Sequence, residues 1–126
     1  EYSLLMVDDE LFAVRGITEG ISWEEFGITK VYGVCNVKEA KTILERERID
    51  VVITDIEMPL MDGHRLTKLC KSDDEIKKIP LIIFSSLVNE EMRKKGEQLG
   101  ADAQLTKPEI GMLVEAIDNL IDKSVD

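Results

Sequence analysis

Short, almost wholly apolar runs alternate along this chain with stretches whose apolar residues recur at helical spacing. The strand-like runs are Ser3–Val7, Thr29–Cys35, Ile49–Asp55, Leu81–Ser85 and Ala103–Thr106. The first, third and fourth are the most apolar, as strands covered on both faces are. Between them, Leu11, Val14, Ile17 and Ile21 fall on one helical face, as do Val37, Ala40, Ile43 and Leu44. The last stretch carries the clearest stripe: Ile110, Leu113, Val114, Ile117, Leu120 and Ile121. Asn89–Leu99 has helical propensity but is mostly charged, which predicts the most exposed helix, and Gly100 suits its C-cap. Five β–α units in succession predict an α/β fold: a doubly wound, five-stranded parallel sheet with right-handed crossovers and helices on both faces.

At 126 residues the chain is long enough for one domain, residues 1–126, with a proper core. A net charge of −10 makes it repel nucleic acid and anionic membrane, so any DNA binding must come from another domain. Cys35 and Cys70 share no metal-type spacing and read as reduced thiols of a cytoplasmic protein. No run approaches a membrane span and no signal peptide is visible. The first residue is Glu1 rather than Met, as in a piece cut from a longer protein.

The candidate chemistry lies where the strands end. Asp8, Asp9 and Glu10 follow the first strand and Asp55 ends the third. Carboxylates crowded at the ends of buried strands need neutralising, and a hard cation such as Mg²⁺ suits them. Ser85 closes the fourth strand, and Lys107-Pro108 follows the fifth, adding a fixed cation. In an open α/β sheet, ligands bind beyond the carboxyl ends of the strands, so these residues converge on one rim. Acids, a lysine and a metal make a site for a phosphoryl group. Each residue alone has a blander reading: Asp8 or Asp9 as helix caps, Ser85 and Ser86 as turn residues, Glu57 as a solvated loop acid. His64 reads as structural, and Trp23 as packing between the first helix and the second strand.

Over essentially its whole length the chain resembles the receiver domain of two-component response regulators. The residues that carry the resemblance are Asp8-Asp9-Glu10, Asp55-Ile56-Glu57-Met58-Pro59 with Met61-Asp62-Gly63, Ser85-Ser86 and Lys107-Pro108. The resemblance implies a flavodoxin-like fold with strand order 2-1-3-4-5 and five helices. It implies that Asp55 accepts a phosphoryl group from a sensor histidine kinase. Asp9 and Asp55 would ligate Mg²⁺ directly, Asp8 through water, and Glu57 through its backbone carbonyl. Ser85 would hydrogen-bond the phosphoryl oxygens and Lys107 would pair with them, from a cis Lys107–Pro108 peptide. The domain would be no enzyme beyond its own phosphotransfer and dephosphorylation.

The output differs between the two halves. Arg15-Gly16-Ile17 and Gly20–Ile28 resemble receivers joined to AraC-type DNA-binding domains, which implies transcriptional regulation through a further C-terminal domain. Asp55–Thr67, Ile83–Lys95 and Gly100–Gly111 resemble receivers of chemotaxis coupling proteins, which implies a chemotaxis adaptor or a stand-alone receiver. Many receivers carry an aromatic three residues before the lysine, where this chain has Gln104. A polar amide cannot fill an apolar slot as a ring does, so the coupling of phosphate to the face of the fourth helix, fifth strand and fifth helix would be weak or rely on loop movement alone. Three other classes compete. A flavodoxin-type mononucleotide binder needs a Ser/Thr/Gly-rich phosphate loop where Asp8-Asp9-Glu10 would repel the phosphate. An aspartyl phosphohydrolase needs its nucleophile after the first strand. A phosphorylation-independent interaction module would have no use for the intact set of acids, hydroxyl and lysine.

Overall fold

The computed structural model describes residues 2–55, 63–73, 76–85, 90–106 and 110–125. Strands β1 (Tyr2–Val7), β2 (Ile28–Val34), β3 (Val51–Thr54), β4 (Leu81–Ser85) and β5 (Ala103–Thr106) alternate with helices α1 (Leu11–Gly20), α2 (Val37–Arg46), α3 (Gly63–Ser72), α4 (Glu90–Leu99) and α5 (Ile110–Val125). The strands form one sheet in the order β2-β1-β3-β4-β5, and every pair is parallel. This is the expected flavodoxin-like topology.

Side-chain alternation along the strands sorts the core into two layers. Leu4 and Met6 of β1, Val51 and Ile53 of β3, and Ile82 and Phe84 of β4 meet Ile17 of α1 and Leu113, Ile117 and Ile121 of α5. Leu5, Val7, Val52, Leu81 and Ile83 face the other way, onto Val37, Ala40 and Leu44 of α2 and Leu66 and Cys70 of α3. Each central strand is therefore apolar at consecutive positions, because both of its faces are covered. The edge strands differ: β2 is buried only at its ends and β5 is half-buried throughout.

Several boundaries depart from the sequence-based expectation. The third strand begins at Val51 rather than Ile49, because the Asp50 carboxylate turns back to accept the Ser3 N–H at 2.8 Å. The second runs one residue earlier than expected, Ile28–Val34. A 3-10 turn over Trp23–Phe26 was not anticipated; it buries Trp23, whose indole N–H donates to the Ile17 carbonyl at 2.9 Å. Trp23 thus ties α1 to the approach to β2, as expected of it. Leu11, expected on the buried face of α1, is 49% exposed, while Val14 and Ile17 carry the packing. On α4 only Gly96 is buried, so this is the exposed helix that its charge predicts. Gly100 follows it at φ +98°, the left-handed conformation of a C-cap glycine. Cys35 and Cys70 are both free thiols.

Candidate functional site

The parallel register sets the site. Val7 pairs with Thr54 and Thr54 with Ile83, so β1, β3 and β4 finish along one edge. The ladder continues one step beyond the strands: the Asp55 N–H donates to the Val7 carbonyl and the Asp8 N–H to the Val34 carbonyl, both at 3.2 Å. Asp8 and Asp55 therefore stand on adjoining strand ends, with 0% and 5% of their surfaces exposed. The Thr54 hydroxyl donates to the Asp55 carbonyl at 3.2 Å and fixes the backbone there. Ser85, the last residue of β4, is fully buried at the same edge, so it is a strand residue and not a turn residue.

Asp8 is no helix cap. Its Oδ1 accepts the Glu10 N–H at 3.0 Å, closing a local turn, while Glu10 holds the N-cap position of α1 without a side-chain capping bond. Asp9 lies largely open to solvent, yet its carboxyl is pushed above the ordinary carboxylate range. Desolvation by its neighbours is the leading cause, followed by the charge of Asp8, a side-chain hydrogen bond with Asp8, and the charge of Asp55. Asp8 and Asp55 are thus both close enough to oppose the ionisation of Asp9.

Among the described residues, no group of three or more histidine, cysteine, aspartate or glutamate side chains already forms a cage for a cation. The donor set nevertheless suits Mg²⁺. Three carboxylates supply hard oxygens, and the charges of Asp8 and Asp55 add to desolvation in pushing the Asp9 carboxyl up, which a cation beside it would relieve. Glu57, Lys107 and the Lys107–Pro108 peptide lie outside the described residues, as do Ser86 and its loop.

The structure adds residues that sequence reading passed over. Thr54 and Thr67 are completely buried polar side chains on β3 and α3. Phe12 is 85% exposed in the first turn of α1, immediately beyond the acids, with Leu11 beside it. The available signal was that Phe12 falls outside the stripe of Val14, Ile17 and Ile21.

A family model, the response regulator receiver domain, matches residues 4–118. The gliding motility regulatory protein of Myxococcus xanthus is 37% identical over 119 residues, which is 93% of this chain and 15% of that protein. The chemotaxis protein CheY of Treponema pallidum is 36% identical over 109 residues, 85% of this chain and 73% of its own length. The receiver domain of the Francisella response regulator 1452 superposes with a TM-score of 0.85 at 30% identity, covering 98% of this chain and 99% of that one. Motif, topology and these likenesses agree, and the chain belongs to the response regulator receiver domain family.

Proposed function

We propose that residues 1–126 work as one receiver domain, taking a phosphoryl group from a sensor histidine kinase onto Asp55. The observation that carries this reading is the buried pair Asp8 and Asp55 on adjoining strand ends, with Asp9 opposed by both. An Asp55 carboxylate oxygen attacks phosphorus, the P–N bond of the donor phosphohistidine breaks, and the imidazole leaves with the bonding pair and takes up a proton. Asp55 is suited to this because the backbone that carries its carboxylate is held by the Val7 carbonyl and the Thr54 hydroxyl. The Ser85 hydroxyl donates to a phosphoryl oxygen, and the Lys107 ammonium pairs with another. Asp9 and Asp55 would hold Mg²⁺ directly, with Asp8 through water and the Glu57 carbonyl completing the set. Bound there, the ion lowers the repulsion between two anionic reactants and stabilises charge on the transferred oxygens.

Leu11 and Phe12, exposed beside the acids, offer the donor an apolar surface. The output face is that of α4, β5 and α5. Its effect is transcriptional, through a DNA-binding domain outside this chain, on the strength of the Arg15–Ile17 and Gly20–Ile28 resemblance. The likeness to a chemotaxis protein supports the second reading, a chemotaxis adaptor or stand-alone receiver. The kinase partner and free thiols favour the cytoplasm, and no described helix is long and apolar enough to cross a membrane.

Incubation with acetyl phosphate, followed by intact-mass measurement with and without EDTA, tests the reading. One phosphoryl adduct is expected, dependent on Mg²⁺ and absent in Asp55→Asn. An adduct that survives Asp55→Asn, or forms equally well without metal, overturns it.

A further inference from the structure

Gln104 does not lie idle on the sheet edge. Its side-chain amide N–H donates to the backbone carbonyl of Arg93, in the middle of α4, at 2.8 Å. The amide rests over Gly96. A Cβ built at Gly96 would lie 2.5 Å from the Gln104 Oε1, 2.7 Å from its Cδ and 2.9 Å from its Nε2, distances that real Cβ atoms do not adopt. Gly96 is also the one buried residue of α4 and a poor helix former in a helix interior. The backbone gives it no conformational reason to be glycine, since its φ is not positive. The glycine and the glutamine explain each other: a missing side chain on the helix makes the seat that a side chain from the strand fills.

We infer that Gln104 and Gly96 form a polar latch between β5 and α4, which holds α4 in its present position while the amide is seated and frees it when the amide leaves. α4 is then tied to the phosphorylation edge twice. One tie runs along the chain from Ser85 at the end of β4. The other runs through Gln104, which pairs in register with Ile83 while Thr106, two residues on, pairs with Ser85. Movement at Ser85 and Thr106 therefore reaches Arg93 through a hydrogen bond, not only through the loop that precedes α4. The existence of the latch is independent of phosphorylation; its coupling to phosphate rests on the reading of Asp55 given above.

Four proteins test it: the parent chain, Gly96→Ala, Gln104→Ala and the double variant, each ¹⁵N-labelled. Unseating predicts that Gly96→Ala moves the Gln104 side-chain NH₂ signals towards free-glutamine positions and shifts the backbone amides of Arg93–Glu97. It also predicts that alanine at 96 raises the melting temperature by about 4 °C when residue 104 is alanine, and by much less when Gln104 is present. Equal gains in both backgrounds, with the Gln104 signals unmoved, overturn the latch. Beryllofluoride with Mg²⁺ then tests the coupling. The Gln104 NH₂ pair and Arg93–Glu97 should respond in the parent chain, and the α4 response should fall by half or more in Gly96→Ala. Changes at Asp8, Asp9 and Asp55 without any at Gln104 overturn the coupling and leave the phosphoacceptor reading standing. No change at those acids overturns the phosphoacceptor reading and the coupling together, while the unseating measurement still decides the latch.

Discussion

The two ends of the sheet use the same residue type in opposite ways. At the amino-terminal end, each aspartate answers a positive or donor group. The Asp102 Oδ2 accepts the Leu81 N–H at 2.8 Å and the Lys71 ammonium at 2.9 Å, and Lys71 also donates to the carbonyls of Lys77 and Ile79. Asp50 accepts the Ser3 N–H and faces the Arg48 guanidinium at 3.6 Å. At the carboxyl end, Asp8 accepts the nearby Glu10 N–H, and the Asp9 carboxyl is pushed up, by desolvation first and then by the charges of Asp8 and Asp55. Acids that start strands close the ends of the fold. Acids that finish strands crowd one another around Asp9, and the proposed phosphorylation site lies there.

The sharpest way to break this comparison is to substitute one acid at each end. Asp102→Ala strands the Leu81 N–H and leaves the Lys71 ammonium with only its two carbonyl partners, so it should lose about 1–3 kcal/mol of stability. It should still be phosphorylated at a temperature where it is folded. Asp55→Asn should do the reverse, keeping or raising stability while taking up no phosphoryl group. Urea unfolding and intact-mass measurement on both variants check the pair; an unstable Asp55→Asn or an unphosphorylated, folded Asp102→Ala would erase the distinction.

Asp9 sharpens it through pH. A carboxyl whose pKa is raised on folding binds its proton more tightly in the folded state. Its contribution to stability therefore falls as pH rises from the ordinary carboxylate value through the raised one. Above that window the penalty is fully present. Asp9→Asn should accordingly raise Tm at pH 7 and have no effect below about pH 4. Because Asp9 is exposed, salt should shrink the gain. Millimolar Mg²⁺ should raise Tm in the parent chain and not in the variant. Thermal melts across pH, salt and Mg²⁺ check all three, and a gain that persists at pH 3 would mean that charge is not its cause.

What could be read from sequence follows the same division. The central strands were legible because burial on both faces forces unbroken apolar runs at Leu4–Val7, Val51–Ile53 and Leu81–Phe84. The acids of the rim were legible because polar residues closing such runs are conspicuous. The opposite end was not. Asp50 and Asp102 sit among loop residues, and the partner that gives Asp102 its role, Lys71, lies 31 positions away on another element. Gln104 was read as a loss, since an amide cannot replace a ring in an apolar slot. Its actual partner is an absent side chain at Gly96, which no local pattern announces.

The smallest expected effect lies within the amino-terminal end itself, at Arg48. Its side chain is 87% exposed and its guanidinium reaches Asp50 only at 3.6 Å, so water and salt screen the pair and the arginine gives up rotamer freedom to make it. Asp50 keeps its bond to the Ser3 N–H whether or not Arg48 is present. Arg48→Ala should therefore change stability by no more than about 0.5 kcal/mol. Asp50→Ala, which leaves the half-buried Ser3 N–H without its acceptor, should lose about 1 kcal/mol or more. A double-mutant cycle in urea checks the difference. A coupling between Arg48 and Asp50 well above about 0.5 kcal/mol would mean that charge pairing, rather than the capping of a backbone N–H near a strand's start, is what places acids at that end of the sheet.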